Sequence, residues 1–286
     1  MATARELAAR GWRPLRRGLH RTQDRLNGGR GIPLRAAPGW TVRTPPEAWE
    51  ELRYWLCYEA ATFALIRRIW RRGMTVLDVG AHHGLFSLCC CRAEAMPGRV
   101  VTVEPSPRAL PLLRRARALY PGLNWTVVEA AAGERVGRLR MAAGMEQMLV
   151  VDAALHAEGR AAPGAVPVPA VEVQVARLDQ MARELMLWPD LVKVDVEGYE
   201  VEALRGASGL LAPQTGARQP WIVLEWHCQM LRQRGLDPLA ALVPLAAGGY
   251  TFEPYEQPEV RPLEFAAVAG LARHSVCRLF CRPRLD

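Results

Sequence analysis

The chain has 286 residues, half of them hydrophobic, and a formal charge of +8. This length allows one domain with a full core plus extensions, and no apolar run is long enough to cross a bilayer. Seven cysteines, three of them adjacent and none in a CxxC pair, argue against a disulfide framework. We therefore expect a protein of a reducing compartment, the cytoplasm.

The first 44 residues are rich in arginine and are interrupted by glycines and prolines. We expect a basic, partly ordered arm over residues 1–44, ahead of one domain over residues 45–286. Leu7 and Trp12 belong to an apolar row that allows an alternative, a surface helix that contacts anionic lipid or a partner. Because Lys193 is the only lysine, the basic charge is typical of biased codon usage, and nucleic acid is not an expected partner.

A long amphipathic helix is predicted over residues 46–70. It opens at Pro46 and carries apolar side chains at helical spacing as far as Trp70. The sequence Arg-Arg-Gly over residues 71–73 then supplies a cationic last turn and a glycine stop.

From residue 75 the sequence alternates between strand and helix patterns. Apolar runs that begin at Val76, Val100 and Trp125 predict three buried parallel strands, with helix patterns at Leu85–Cys89 and Pro107–Tyr120 between them. This βαβαβ order is typical of half of a doubly wound α/β sheet. Later patterns predict further strands at Val171–Leu178, Leu191–Val196, Trp221–Glu225, Thr251–Phe252 and Ser275–Cys281.

The stretch Val76–Gly84 is typical of a strand, a glycine turn and the start of a helix. Such a turn presents backbone N–H groups to a ligand, and Asp78 places a carboxylate near the same crevice. Gly80 and Gly84 are separated by three residues, so the GxGxxG pattern of dinucleotide-binding proteins lacks its middle glycine. The P-loop pattern is also absent.

A carboxylate at the end of the next strand favours a nucleoside ligand. Glu104 occupies this position, from which an acid can accept hydrogen bonds from both ribose hydroxyls. A glycine turn and a ribose acid without a phosphate cradle together predict a nucleoside ligand without a pyrophosphate. S-adenosylmethionine meets that description, and an acidic site can tolerate its sulfonium.

At these residues the chain resembles the FkbM-type methyltransferases, over roughly residues 50–282. The resemblance implies a class I methyltransferase fold: an α/β, Rossmann-like, seven-stranded and mostly parallel sheet with helices on both faces and an antiparallel last strand. It also implies methyl transfer from S-adenosylmethionine, usually to a hydroxyl of a sugar, a polyketide-type product or another small metabolite. The matching motifs lie at residues 76–84, 104–107, 192–200, 204–207 and 223–227.

On this resemblance, Asp78, Gly80 and Gly84 belong to the first cofactor motif, and Glu104 is the ribose acid. The family commonly has asparagine where this chain has His82, whose imidazole is bulkier and can titrate. This departure concerns the contact to the methionine portion of the cofactor.

Two further acids are cofactor candidates on the resemblance alone. Glu129 ends the third strand, where such proteins often accept a hydrogen bond from the adenine amine. Glu59 follows Tyr58 in a pair that some members carry ahead of the first motif. The alternative for each is an ordinary charged side chain on the surface.

The catalytic candidates lie at the carboxyl ends of the later strands. Asp195 and Glu197 end the fourth core strand, and His227 follows the fifth. A hydroxyl acceptor must be held in line and must lose its proton, so we expect Asp195 or His227 to act as base or to orient the acceptor. The alternative roles are helix capping for both acids and a structural contact for His227. Asp195, Glu225 and His227 could hold a divalent metal, but they lack a local spacing signature, and no metal is predicted.

Two other functions compete with methyl transfer. A nicotinamide-dependent oxidoreductase is disfavoured by the missing glycine. A non-catalytic nucleoside-binding or scaffold protein with the same fold stays open because of His82.

Overall fold

A computed structural model describes residues 18–37, 40–91, 97–142, 170–213, 218–256, 265, 268, 270 and 273–284. The strands are β1 (Ile32–Ala37), β2 (Trp40–Thr44), β3 (Thr75–Val79), β4 (Arg99–Val103), β5 (Trp125–Val128), β6 (Ala131–Ala132), β7 (Gly137–Ala142), β8 (Ala170–Ala176), β9 (Leu191–Val194), β10 (Trp221–Trp226), β11 (Tyr250–Pro254) and β12 (Cys277–Pro283). The helices are α1, described over residues 18–26, then α2 (Trp49–Tyr58), α3 (Ala60–Ile69), α4 (Leu85–Cys90), α5 (Leu110–Ala118), α6 (Leu178–Glu184), α7 (Glu200–Gly206), α8 (Ser208–Leu211), α9 (Cys228–Gln233) and α10 (Val243–Ala247), with a 3-10 helix at Ala240–Leu242.

The central sheet has seven strands in the order β11-β12-β10-β9-β3-β4-β5. Strands β5, β4, β3, β9 and β10 are parallel, and β12 runs antiparallel between β10 and β11. The predicted α/β sheet, with its antiparallel last strand, is therefore confirmed. A smaller sheet, in the order β6-β8-β7, contains the strand predicted at Val171–Leu178.

Helices cover both faces of the central sheet, because its inner strands are apolar on both sides. Along β3, Val76 contributes to one core cluster while Leu77 and Val79 contribute to the other. Helices α2 to α5 supply side chains to the first cluster, and α6 to α9 supply side chains to the second. This double burial explains the unbroken apolar runs of the sequence.

The segment before residue 45 contributes to the core. Strands β1 and β2 form an antiparallel hairpin, and its Leu34, Trp40 and Val42 side chains are buried in the cluster that contains α2 and α4. The hairpin lies within the predicted arm, so part of that arm is packed β-structure. Residues 1–17 of the arm lie outside the described residues.

The single helix predicted over residues 46–70 is divided into α2 and α3 at Glu59, whose backbone adopts φ −89° and ψ 13°. The hydrogen-bond ladder continues across the division, because the Glu59 N–H donates to Trp55 O at 2.8 Å and the Phe63 N–H donates to Glu59 O at 3.0 Å. Apolar spacing continues through both helices, so it gives no sign of the division.

The switch point of the sheet lies beside β3, with β4 on one side and β9 on the other. Asp78 pairs in register with Lys193 and Val79 with Val194, so the loops that follow β3 and β9 come into contact. Ligands of open α/β sheets bind at such a point, beyond the carboxyl ends of the strands. Within the described residues, no helix is long and apolar enough to span a membrane.

Candidate active site

The carboxyl ends of β3, β4, β9 and β10 border one cavity, whose volume of about 1230 Å³ includes its open mouth. Apolar side chains such as Leu52, Trp55, Phe63 and Phe86 form part of its wall. The predicted catalytic residues and several predicted cofactor residues share this wall: Asp195, Glu197, His227, Gly80, His82, Glu104 and Glu59.

The glycine turn needs left-handed backbone at three positions, with φ of 78° at Gly80, 51° at His82 and 79° at Gly84. A Cβ on Gly80 would lie 1.8 Å from the backbone oxygen of Asp195, so no other residue fits there without movement. His82 adopts this conformation without being glycine, which is uncommon and costs free energy. The turn is thereby pressed against the loop after β9.

Asp78 and Gly84 belong to the turn but do not line the cavity. The Asp78 side chain is fully buried and accepts a hydrogen bond of 2.7 Å from Ser87 Oγ. Burial raises its pKa, and the charge of Lys193 opposes that rise. Both residues thus lie in the turn and outside the cavity lining.

Glu104 follows β4 and lies in the cavity wall with 5% of its surface exposed. Its two carboxylate oxygens accept backbone hydrogen bonds, from His82 N–H at 2.6 Å and from Ser106 N–H at 2.7 Å. Burial raises the pKa of Glu104 to about 7, although these two donors act in the opposite direction. The two bonds fix the carboxylate between the turn after β3 and the loop after β4.

The remaining two cofactor candidates have different surroundings. The Glu129 side chain is 48% exposed, forms an ion pair with Arg114 and is not part of the cavity lining. Glu59 lines the cavity, and its Oε2 is buried without a hydrogen bond among the described residues. The geometry therefore favours a ligand contact for Glu59 and a surface ion pair for Glu129.

Asp195 and Lys193 form the charged centre of the cavity wall. Lys193 Nζ donates a hydrogen bond of 2.8 Å to Asp195 Oδ2, and the two side chains are 9% and 17% exposed. Burial disfavours the charge of Asp195, but Lys193 and His227 outweigh it and lower the pKa of the carboxyl group. Asp195 is therefore an ionised carboxylate that faces the cavity.

His227 lies between two carboxylates. Its Nδ1 is 2.7 Å from Glu200 Oε1, and its Nε2 is 3.3 Å from Glu197 Oε2. Burial lowers the pKa of His227, but the bond to Glu200 and the surrounding acids prevail and raise it to about 9. Burial and the charge of Asp195 raise the pKa of Glu197 to about 7. At neutral pH His227 is an imidazolium that holds Glu197 in place.

Several carboxylates of the cavity, together with His227, lie close enough to one another to bind one cation. One group is Asp195, Glu197 and His227, and another is Glu59, Asp195 and Glu225; within each, the ligand atoms lie within 4.8 Å of one another. Both groups already contain cations, because Asp195 binds Lys193 and Glu225 binds Arg278 at 2.9 Å. Burial, followed by the charges of Asp195 and Glu59, nevertheless raises the pKa of Glu225 to about 8.

Two residues of this network, Glu200 and Arg278, are not among the candidates predicted from the sequence. Glu200 is fully buried at the start of α7, and Arg278 is buried in β12. Burial of a charged residue is visible only once its partner is placed beside it. Glu200 does lie in a motif of the resemblance, which could have indicated a role.

A family model described as the methyltransferase FkbM domain matches residues 78–257, more than half of the chain. The match contains the turn after β3, Glu104, and the strand ends that carry Asp195 and His227. No curated protein sequence matches the chain.

Solved methyltransferase structures are similar to the chain at low identity. The methyltransferase FkbM of Methylobacillus flagellatus KT is 16% identical, with a TM-score of 0.45 over 82% of this chain and 54% of that one. The precorrin-6y C5,15-methyltransferase of Geobacter metallireducens GS-15 is 14% identical, with a TM-score of 0.39 over 78% and 85%. The fibrillarin of Aeropyrum pernix, solved with natively bound S-adenosyl-L-methionine, is 13% identical, with a TM-score of 0.42 over 78% and 73%. The chain thus spans about half the length of the Methylobacillus protein.

Proposed function

This chain belongs to the FkbM methyltransferase domain family, and from that premise we propose that it transfers the methyl group of S-adenosylmethionine to a hydroxyl of a small molecule. One observation carries the proposal. A buried carboxylate suited to a ribose, Glu104, and an ionised carboxylate suited to a hydroxyl, Asp195, line the same cavity. A nucleoside cofactor and a polar acceptor can thus be held together.

The residues of the cavity fit S-adenosylmethionine in their chemistry. Glu104 is fixed by two backbone donors and keeps lone pairs for ribose hydroxyls. Ala130, Ala131, Ala132 and Met141 provide an apolar lining that suits an adenine ring. Acidic side chains elsewhere in the wall suit a sulfonium. These features support the cofactor assignment.

When bound, S-adenosylmethionine supplies an electrophilic methyl group. We assign to Asp195 the task of accepting a hydrogen bond from the acceptor hydroxyl and then its proton. Lys193 keeps this carboxylate ionised and fixes its Oδ2. Glu197, held by His227, is near enough to Asp195 for the two carboxylates to influence each other's charge, and it can relay the proton outward. Because these groups position the acceptor hydroxyl, they supply much of the rate of methyl transfer.

The cavity also bears on the acceptor. Its wall combines apolar surface from Leu52, Trp55 and Phe63 with carboxylates from Glu59 and Glu225. Apolar walls with a few placed polar groups are typical of small-molecule sites. A hydroxylated metabolite such as a sugar or a polyketide-type product presents both kinds of surface, and we propose this class as the acceptor.

The cofactor assignment is tested by calorimetric titration of S-adenosylmethionine into the purified chain. Glu104→Ala should weaken binding at least about tenfold, because it removes the group that accepts the hydrogen bonds of the ribose hydroxyls. Glu172→Ala is the matched control, since Glu172 is an exposed strand acid paired with Arg138. Unchanged affinity in folded Glu104→Ala would remove Glu104 from the site, and no binding by the wild type would overturn the proposal.

A further inference from the structure

A third group of possible metal ligands differs from the other two by containing two histidines. Glu51 of α2 and the adjacent His82 and His83 of the glycine turn offer ligand atoms that lie within 4.8 Å of one another. Glu51 Oε1 is 3.1 Å from His83 Nδ1 and 3.8 Å from His82 Nε2. One carboxylate oxygen therefore faces two ring nitrogens.

The contact between Glu51 and His83 is close but is not a hydrogen bond. His83 is 7% exposed, and its Nδ1 is buried without a hydrogen-bond partner among the described residues. A buried nitrogen that approaches a carboxylate in this way is the arrangement that an interposed cation would satisfy. An unsatisfied buried polar atom otherwise costs free energy.

The two distances from Glu51 Oε1 to the ring nitrogens suit a transition metal. With metal–ligand bonds of about 2.1 Å, separations of 3.1 Å and 3.8 Å correspond to ligand–metal–ligand angles of about 95° and about 130°. These values lie on either side of the tetrahedral angle. Two imidazoles and one carboxylate with an open fourth position form a ligand set that zinc adopts, whereas magnesium and calcium prefer oxygen ligands.

The turn fixes the two rings beside each other. The backbone of His82 is left-handed and its N–H is bonded to Glu104, so the ring is anchored beside His83 and stacks on it with centroids 3.9 Å apart. The side chains of His82 and Glu51 are 35% and 32% exposed, which leaves a path for an ion.

We propose that Glu51, His82 and His83 form a binding site for one zinc-class divalent ion, which joins α2 to the glycine turn at the edge of the cavity. The site needs no cofactor or acceptor, so it stands apart from the proposed function. The other two groups are poorer candidates because Lys193, Arg278 and His227 already supply their positive charge.

The test uses the full chain without a histidine tag, stripped with a chelator and titrated with Zn²⁺ by calorimetry and with Co²⁺ by visible absorption. We expect one ion per chain and a cobalt spectrum of nitrogen and oxygen ligands without thiolate charge transfer. Glu51→Gln and His83→Ala should each weaken zinc binding by at least the roughly 10–100-fold that loss of an outer partner costs. Mg²⁺ should not compete.

Two control variants keep the assignment falsifiable. Glu197→Gln removes a ligand of the neighbouring group, and His274→Ala removes an exposed histidine, so both should leave zinc affinity unchanged. Zn²⁺ should also raise the melting temperature of the wild type and not that of Glu51→Gln. The proposal would be overturned if zinc does not bind, or if its affinity is unchanged in Glu51→Gln. It would also be overturned if affinity is lost in Glu197→Gln or if the cobalt spectrum shows a thiolate band. Titration of S-adenosylmethionine into the metal-free chain tests the proposed function separately.

Discussion

His227 shows how a single residue ties the site to the stability of the fold. Both of its ring nitrogens face carboxylates, and its pKa is raised to about 9 because the acids outweigh the effect of burial. The folded state therefore binds a proton that an unfolded histidine, with its usual pKa near 6.5, releases. The stabilisation is complete below about pH 6.5 and is lost as the pH rises towards 9.

We predict that the free energy of unfolding falls by about 2 kcal/mol between pH 7 and pH 9 from His227 alone. Glu225, whose pKa is raised to about 8, acts in the same direction. Urea denaturation at the two pH values measures the fall. The double variant His227→Gln/Glu200→Gln removes the pair without leaving a buried carboxylate alone. Its free energy of unfolding should fall distinctly less between the two pH values. An equal fall in both proteins would contradict this assignment.

The roles of individual residues could be predicted from the sequence only in part. Asp195, Glu197 and His227 could be grouped because parallel strands end at one edge of the sheet. The same argument placed Glu129 at that edge, but its side chain turns to Arg114. Strand position fixes where the backbone ends, and side-chain partners decide which way a carboxylate points.

Among the elements, the turn after β3 controls the geometry of the site. It touches the loop after β9 so closely that Gly80 and the backbone oxygen of Asp195 leave no room for a Cβ. The position of Asp195, and with it Lys193, thus depends on an element more than a hundred residues earlier in the chain.

Gly80→Ala should therefore lower the free energy of unfolding by at least about 2 kcal/mol, through the clash and the positive φ. S-adenosylmethionine affinity should fall with it, because the turn moves. Gly122→Ala is the control, since nothing lies within 4 Å of its added Cβ, and its effect should stay within about 0.5 kcal/mol. Chemical denaturation measures the free energy of unfolding of the wild type and both variants. Equal stability of the wild type and Gly80→Ala would refute the close contact.

Elements with strong periodicity could be predicted well, and those defined by tertiary contact could not. The apolar runs of β3, β4, β9 and β10 gave these strands within a few residues of their ends. The hairpin of β1 and β2 was not predicted, because its alternating apolar residues are few and arginines, glycines and prolines surround them. These apolar residues are Ile32, Leu34, Trp40 and Val42. The division at Glu59 could not be predicted, because the apolar spacing continues through it.

For the whole molecule, the family, the central sheet and the position of the cavity agree with one another. The chain belongs to the FkbM methyltransferase family and has the predicted sheet, with its switch point at the cavity. The chemistry of the cavity depends on which charged side chains face it, and the hydrophobic pattern of the strands does not predict this. We propose that these charges direct a methyl group to a hydroxyl.

The most direct measurement incubates the chain with methyl-labelled S-adenosylmethionine and a small-molecule cell extract, and then identifies the labelled product by mass spectrometry and NMR. We predict a methyl ether on a hydroxylated metabolite. With Asp195→Asn, turnover should fall by about 100-fold or more while cofactor affinity holds, because asparagine keeps the shape of the side chain but cannot accept the proton. A label on nitrogen, no labelled small molecule, or undiminished turnover in Asp195→Asn would contradict the account.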